Sequence, residues 1–138
     1  MNFTRRETLA LSGAAALTFV LPFRASAAAD DAIAEFTGGA AIADAGVELT
    51  APEIAENGNT VPIEVSAPGA TSIMVLAAGN PTPGVATFNY GPLAASQTAS
   101  TRIRLAGTQD VIAIAKLADG SFARSAKTVK VTIGGCGG

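Results

Sequence analysis

One cysteine lies in a glycine-rich tail, in the segment VTIGGCGG at residues 131–138. Glycine offers no side chain to pack, so a thiol in this setting is presented to a partner or has no role. Glycines also reach backbone angles forbidden to other residues, so one tail can fit active sites of different shapes. We predict a flexible arm over residues 134–138, in which Cys136 is flanked by four glycines: Gly134, Gly135, Gly137 and Gly138.

The remaining composition argues against catalysis by the chain itself. Histidine is absent and Cys136 is the only cysteine, so the usual soft or borderline metal-ligand sets cannot assemble. Without histidine, the common base that activates a serine or cysteine nucleophile is also missing. We therefore predict no catalytic residues, no metal and no cofactor. If Cys136 takes part in chemistry, other proteins supply the catalysts.

The amino-terminal segment has the features of an export signal. Residues 1–27 read MNFTRRETLALSGAAALTFVLPFRASA, with a charged start, a mildly apolar middle and a small-residue exit. The apolar stretch at residues 9–23 is shorter than the roughly 20 residues that span a bilayer. Arg5 and Arg6 indicate a twin-arginine signal, with general secretion as the alternative. Cleavage after Ala27 would release the mature chain into the periplasm, with no membrane attachment.

Export changes the interpretation of the lone thiol. Cysteines usually pair in an oxidising compartment, but Cys136 has no partner within its own chain. It is therefore either a free reactive thiol or the link of a disulfide-bonded dimer. Both alternatives keep the sulfur accessible.

Charge is unevenly distributed along the predicted mature chain. Six basic and ten acidic residues remain after residue 27, a net charge of −4. All six basic residues lie from Arg102 onward, whereas residues 28–101 hold eight acidic residues and no basic one. An acidic chain with few aromatic residues does not support nucleic-acid binding. The asymmetry reflects either ordinary solvated faces or basic strands that face a partner or attract an anion towards the arm.

The body of the chain, residues 28–133, has the pattern of an all-β domain. DDAIAEFTGG, residues 30–39, predicts a short helix of two turns that stops at Gly38 and Gly39. Turn signals separate the segments that follow, which predicts about seven strands and an immunoglobulin-like β-sandwich. The strand segments are residues 47–52, 60–68, 72–79, 86–92, 100–107, 109–120 and 122–135.

Some predicted strands alternate apolar with polar residues, and others do not. Ile103 and Leu105 alternate with arginines, and Val129, Val131 and Ile133 alternate with polar residues, which predicts one buried face for each strand. Residues 73–78 and 111–115 are apolar on both faces, so we expect a helix or loop of the same chain, or a permanent second subunit, to cover the outer face.

Two segments that contain proline predict local features of the fold. Pro62 cannot donate a hydrogen bond to a sheet ladder, which predicts an edge strand. NPTPG, residues 80–84, predicts a rigid surface turn.

Together these features resemble the SoxY family, the sulfur-carrier subunits of the periplasmic thiosulfate-oxidising Sox system. The resemblance rests on the twin-arginine signal, the segments EFTGG and APEIAENGNTVPIEV, and the GGCGG tail. It implies a tight heterodimer with SoxZ. It also implies that Cys136 carries S-thiosulfonate and persulfide intermediates between SoxAX, SoxB and SoxCD, which engage the carrier transiently. Gly134, Gly135, Gly137 and Gly138 would form the arm.

Two other functions fit parts of the pattern. A carboxyl-terminal Gly-Gly also occurs in ubiquitin-like carriers, which bear sulfur as a thiocarboxylate, although a β-grasp body would need a substantial central helix. Alternatively, the domain is a structural immunoglobulin-like module in which Cys136 only links two copies.

Overall fold

The computed structural model describes residues 24–134, with side chains from residue 27 onward. The predicted signal up to residue 23, including Arg5 and Arg6, lies outside this range, as do Gly135, Cys136, Gly137 and Gly138. The predicted cleavage site falls at the beginning of the described chain. Within residues 24–134, one helix is followed by nine strands.

Helix α1 spans Arg24–Thr37 and is longer than the two predicted turns. Its 14 residues make about four turns, because the alanine-rich segment ahead of Asp30 is also helical. The helix ends where the sequence predicts, at Gly38 and Gly39, whose φ angles of 64° and 80° are unfavourable for other residues. Cleavage after Ala27 would leave ten helical residues, 28–37.

Nine strands form two sheets. They are β1 Ile42–Ala43, β2 Glu48–Thr50, β3 Ile54–Ala55, β4 Val61–Ser66, β5 Ala70–Ala77, β6 Gly84–Asn89, β7 Thr98–Ile103, β8 Gln109–Leu117 and β9 Phe122–Val131. The larger sheet has the order β1-β9-β8-β5-β6, and β3 also pairs with β9. The smaller sheet has the order β2-β4-β7. This two-sheet arrangement confirms the predicted sandwich and its seven main strands.

The two strands missing from the sequence prediction are β1 and β3. Each has two residues, and each pairs in parallel with β9. β1 lies beside the start of β9, at Phe122 and Ala123, whereas β3 lies beside its end, at Lys130 and Val131. β3 therefore contacts the part of β9 from which the predicted arm departs.

The main core fills the space between the sheets. Val61, Ile63 and Val65 of β4 point inward and are buried, as the alternation predicts. Ile103 and Leu105 are buried in the same cluster, as is Val129 of β9. Val131 is half-buried and packs against this cluster, so the prediction for β9 fails only at Ile133, which is 67% exposed. β9 ends at Val131 and the chain bends after it, so the alternation does not continue.

A second cluster lies on the outer face of the larger sheet. It contains Met74 and Leu76 of β5 and Ile112 and Ile114 of β8, the outward side chains of the two segments that are apolar on both faces. Helix α1 covers them, with Ile33 in the cluster and Phe36 against it. The Phe36 ring also meets the Phe122 ring edge to face, with centroids 5.9 Å apart. The chain's own helix thus accounts for both segments, and they are not evidence for a second subunit.

The edge prediction for the strand of Pro62 is wrong, because β4 is the central strand of the smaller sheet. β2, however, pairs only with residues 64–66 of β4. Pro62 lies beyond the end of β2 and is paired on one side only, with Arg102 of β7. The proline rule therefore holds for the residue and fails for the strand as a whole.

Candidate functional site: the root of the carboxyl-terminal arm

The predicted arm leaves the body at residues 130–134, which we call the arm root. On one side the arm root is bonded to residues 53–58. Lys130 N donates to Glu53 O at 2.9 Å, Thr132 N to Ala55 O at 3.1 Å and Gly58 N to Ile133 O at 2.7 Å. The Thr132 hydroxyl donates to Glu56 O at 2.9 Å. Backbone pairing thus continues two residues past the end of β9 and fixes the chain as far as Ile133.

On its other side the arm root meets the loop between β7 and β8. Val131 N donates to the Thr108 hydroxyl oxygen at 3.0 Å. Gly134 lies so close to this loop that a β-carbon added to it would overlap the carbonyl oxygen of Ala106. The sequence prediction assigned Gly134 to the arm for its flexibility, and the structure adds a packing reason for a glycine at this position.

Gly58 connects the arm root to the loop beyond β7. Its amide donates to Ile133 O, and its carbonyl oxygen accepts from Leu105 N at 2.7 Å. Both Gly58 and Leu105 are buried. The arm root is therefore linked, through one turn residue, to a core side chain between the sheets.

The buried side-chain amides of Asn80 and Gln109 are hydrogen-bonded to the same loop. The Asn80 side chain donates to Arg104 O at 2.8 Å and accepts from Ala106 N at 2.9 Å. Gln109 Nε2 donates to Asn80 Oδ1 at 2.8 Å and to Gly107 O at 3.0 Å. Its Oε1 accepts from Gly79 N at 2.9 Å. These bonds hold in place the loop against which Gly134 rests.

The surface-turn prediction for NPTPG is wrong at its first residue. Asn80 is only 2% exposed, and its side-chain nitrogen and oxygen are both hydrogen-bonded. Buried polar groups require such partners, since an unpaired one costs about 1–3 kcal/mol. The Asn80 side chain therefore fixes the loop between β7 and β8 at this end of the sandwich.

The charges around the arm root have mixed signs. Glu53 and Glu56 lie on one bonded segment, Lys130 on the other and Arg104 in the adjoining loop, and all four residues are exposed. The described part of the root therefore does not present a surface of one sign. This arrangement favours ordinary solvated charges over a basic funnel for anions.

The groups with shifted pKa values lie at the other end of the sandwich. The carboxyl pKa of Asp119, in the turn between β8 and β9, is lowered by hydrogen bonds from the Ser121 hydroxyl and amide. Burial raises the pKa of Tyr90, after β6. Neither group lies near the arm root.

One concave surface of the described chain lies on the outer face of the smaller sheet. It is a shallow groove of about 630 Å³ whose lining includes Pro52, Pro62, Glu64 and Arg102. It lacks a cysteine or histidine, and residues 24–134 contain no group of three potential metal ligands.

Comparison with known proteins identifies the family. The family model described as sulfur oxidation protein SoxY matches residues 33–136. The chain belongs to the SoxY family. Among solved structures, the sulfur carrier protein SoxY from Chlorobium limicola f thiosulfatophilum is 37% identical, with a TM-score of 0.68. The match covers 78% of this chain and 98% of that chain. The resemblance that the sequence predicts is therefore confirmed.

More distant structures share the fold alone. A superoxide reductase (neelaredoxin) from Ignicoccus hospitalis is 17% identical with a TM-score of 0.56, covering 63% of this chain and 80% of its own. A putative superoxide reductase from Thermotoga maritima is 19% identical with a TM-score of 0.51, covering 62% and 84%. No curated protein sequence matches the chain.

Of the five SoxY site residues that the sequence predicts, the structure describes one, Gly134. The residues that the prediction missed are those that hold the root: Gly58, Asn80, Thr108 and Gln109. The turn signal ENGN marks Gly58 as a turn residue but does not indicate its contact with Ile133. In the range that the structure covers, no helix is long and apolar enough to cross a membrane.

Proposed function

We propose that the chain is an exported sulfur carrier that holds thiosulfate-derived intermediates covalently on Cys136. The observation that carries this proposal is the SoxY family match, which extends to residue 136 and so includes the thiol. The Chlorobium relative, described as a sulfur carrier protein, supports the same function. The chain would act as a substrate for separate enzymes and would not itself be an enzyme.

The thiol is the one side chain of this protein that can form the required bonds. Joining thiosulfate to Cys136 makes an S–S bond between Sγ and the sulfane sulfur, and the reaction releases one proton and two electrons. In the proposed pathway the c-type cytochrome complex SoxAX accepts those electrons. SoxB then hydrolyses the terminal sulfonate to sulfate and leaves a persulfide on Cys136.

The later steps return the carrier to its starting form. SoxCD would oxidise the remaining sulfane sulfur, and a final hydrolysis would free the Cys136 thiol. Covalent attachment keeps a small reactive sulfur species from diffusing away between enzymes. Gly134, Gly135, Gly137 and Gly138 keep the segment thin enough to enter an active-site cleft. No metal or other cofactor is needed on the carrier.

A tight heterodimer with SoxZ is part of this proposal. Helix α1 already covers the outer face of the larger sheet, so the partner would use another surface. Export through a twin-arginine signal over residues 1–27 would place the complex in the periplasm. A disulfide-linked dimer through Cys136 would be an idle form, because it blocks the thiol.

The body argues against a ubiquitin-like carrier. That fold needs a substantial central helix packed on a single sheet, whereas α1 lies outside a two-sheet sandwich. The structural-module alternative is tested directly by the thiol.

Cys136→Ser tests the proposed function in a system reconstituted with SoxZ, SoxAX, SoxB and SoxCD. We expect thiosulfate-dependent cytochrome reduction to fall to background, because serine cannot form an S–S bond. The circular dichroism spectrum and the SoxZ complex should be unchanged. Intact-mass measurement without reductant should show sulfur or sulfonate additions on the native chain that the serine variant lacks. Undiminished turnover by Cys136→Ser would overturn the proposal.

A further inference from the structure

Three large hydrophobic side chains of the described chain are strongly exposed: Ile54 at 59%, Leu93 at 98% and Ile133 at 67%. Ile133 belongs to the arm root, and Ile54 lies on the segment that is hydrogen-bonded to it. Ile54 belongs to β3 and pairs with Lys130. Ile133 is the residue whose carbonyl oxygen accepts from Gly58 N at 2.7 Å. The two isoleucines are thus carried by the two segments that are hydrogen-bonded to each other where the arm departs.

Their neighbours are polar. Glu53, Glu56 and Asn57 lie beside Ile54 in sequence, and Lys130 and Thr132 precede Ile133, all with exposed side chains. An apolar centre with a polar rim is the arrangement that interfaces between proteins share. The backbone beneath them is fixed by the bonds to Ala55 and Gly58, so little ordering is needed on contact.

The length of the arm determines what must contact this surface. Gly134, the last described residue, is two residues from Cys136. Two residues span at most about 7 Å when fully extended, at about 3.3–3.6 Å each. An enzyme that encloses the Cys136 sulfur must therefore bring the mouth of its active-site cleft against the arm root. The mouth surrounds the arm, so side chains on either face of the root come within its reach.

We propose that Ile54 and Ile133 form a docking patch for the cleft mouths of the enzymes that act on Cys136, and that those mouths carry apolar side chains. The inference rests on the proposed carrier function and adds to it the surface that those enzymes share. Two isoleucine side chains make a small contact, well below the area of a stable complex. A small contact suits partners that must each release the carrier after one step.

Threonine substitutions test the patch without removing the thiol. Ile54→Thr and Ile133→Thr keep a β-branched side chain at exposed positions, so folding should be preserved. We expect the double variant to raise KM for the carrier about tenfold with each enzyme, with kcat within twofold, because the lost contact serves binding. Leu93→Thr is the matched control, since Leu93 is more exposed but lies in the loop between β6 and β7. It should change KM by less than twofold.

Three further measurements exclude other causes of a raised KM. The rate of Cys136 alkylation by iodoacetamide and the melting temperature should match the native protein, which excludes altered thiol chemistry or unfolding. The SoxZ complex should form normally in native mass spectrometry. Loss of that complex in the double variant would assign the patch to the permanent subunit and overturn the inference.

An unchanged KM in the double variant, or an equal effect of Leu93→Thr, would also overturn it. These failures are distinct from failure of the proposed function, which requires turnover by Cys136→Ser.

Discussion

The amide of Gly58 donates to the carbonyl oxygen of Ile133 at 2.7 Å, and this bond joins a tight turn to the start of the predicted arm. Because the Gly58 carbonyl oxygen also accepts from the buried Leu105, the bond connects the arm root to the core. The point from which Cys136 extends is therefore fixed by the fold.

Gly134→Ala should disturb the arm root without affecting the core. The added methyl group would overlap the carbonyl oxygen of Ala106, so the chain at Ile133 and Gly134 must shift. We expect the Gly58–Ile133 bond to weaken and hydrogen exchange at the Gly58 amide to rise about tenfold. Gly107→Ala is the control, because a β-carbon there meets nothing within 4 Å. Equal exchange in both variants would show that the close approach at Gly134 is unimportant.

Asn80→Leu should destabilise the whole domain. The change removes the bonds to Arg104 O and Ala106 N and leaves Gln109 Nε2 with one partner fewer. We expect the free energy of unfolding to fall by about 2–4 kcal/mol, measured by urea denaturation. Asn89→Leu, at an exposed position of β6, should change it by less than about 0.5 kcal/mol. If the free energy of unfolding falls no further than in the control, the Asn80 hydrogen bonds do not stabilise the domain.

Ile33→Ala tests how α1 covers the larger sheet. Ile33 is buried against the cluster that includes Leu76 and Ile114. We expect the free energy of unfolding to fall by about 2–3 kcal/mol, because truncation leaves a cavity. Binding of a hydrophobic dye should increase as the helix loosens. Glu35→Ala, on the exposed face of α1, should leave both measurements near native values. Native stability in the Ile33 variant would show that the helix contributes little to the sandwich.

Tyr90 should titrate above its ordinary pKa of 10.0, because burial disfavours the phenolate. Its hydroxyl oxygen has no hydrogen-bond partner within the described structure. It is the only tyrosine and the chain has no tryptophan, so absorbance reports it alone. The Tyr90 hydroxyl loses its proton at a lower pH in the unfolded chain than in the folded one. The contribution of Tyr90 to the free energy of unfolding is therefore complete below pH 10 and is lost as the pH rises through the folded pKa.

Tyr90→Phe should remove the part of the alkaline loss of stability that Tyr90 causes. The native and variant proteins are to be compared by urea denaturation at several pH values on both sides of 10. The same midpoint for Tyr90 in folded and urea-unfolded protein would contradict this prediction.

Strands such as β4 were predictable because their burial follows a period of two, whereas β5 and β8 were marked by apolar runs between turn signals. Val61, Ile63 and Val65 show the period clearly, and Gly38 with Gly39 marks the end of α1. β1 and β3 were not predictable, since two residues carry no period. The apolar faces of β5 and β8 indicate that something covers them, but local sequence cannot distinguish α1 from another subunit.

The candidate site, like the fold, was predictable from the sequence only in part. The chemistry proposed for Cys136 was predicted from its residue type and its glycine neighbours, which lie together in sequence. The support of the arm root comes from distant residues, so it could not be inferred. Asn80 stands in a Pro- and Gly-rich segment typical of surface turns, and only tertiary contacts make it buried.

The bond between Thr132 and Glu56 joins residues separated by 76 positions. Contacts of such separation require the closure of a long loop, whose entropy opposes their formation. The arm root is complete only when β9 has paired with β3. A partly folded carrier would lack this defined surface, so an enzyme that recognises the root would also discriminate against incompletely folded chains.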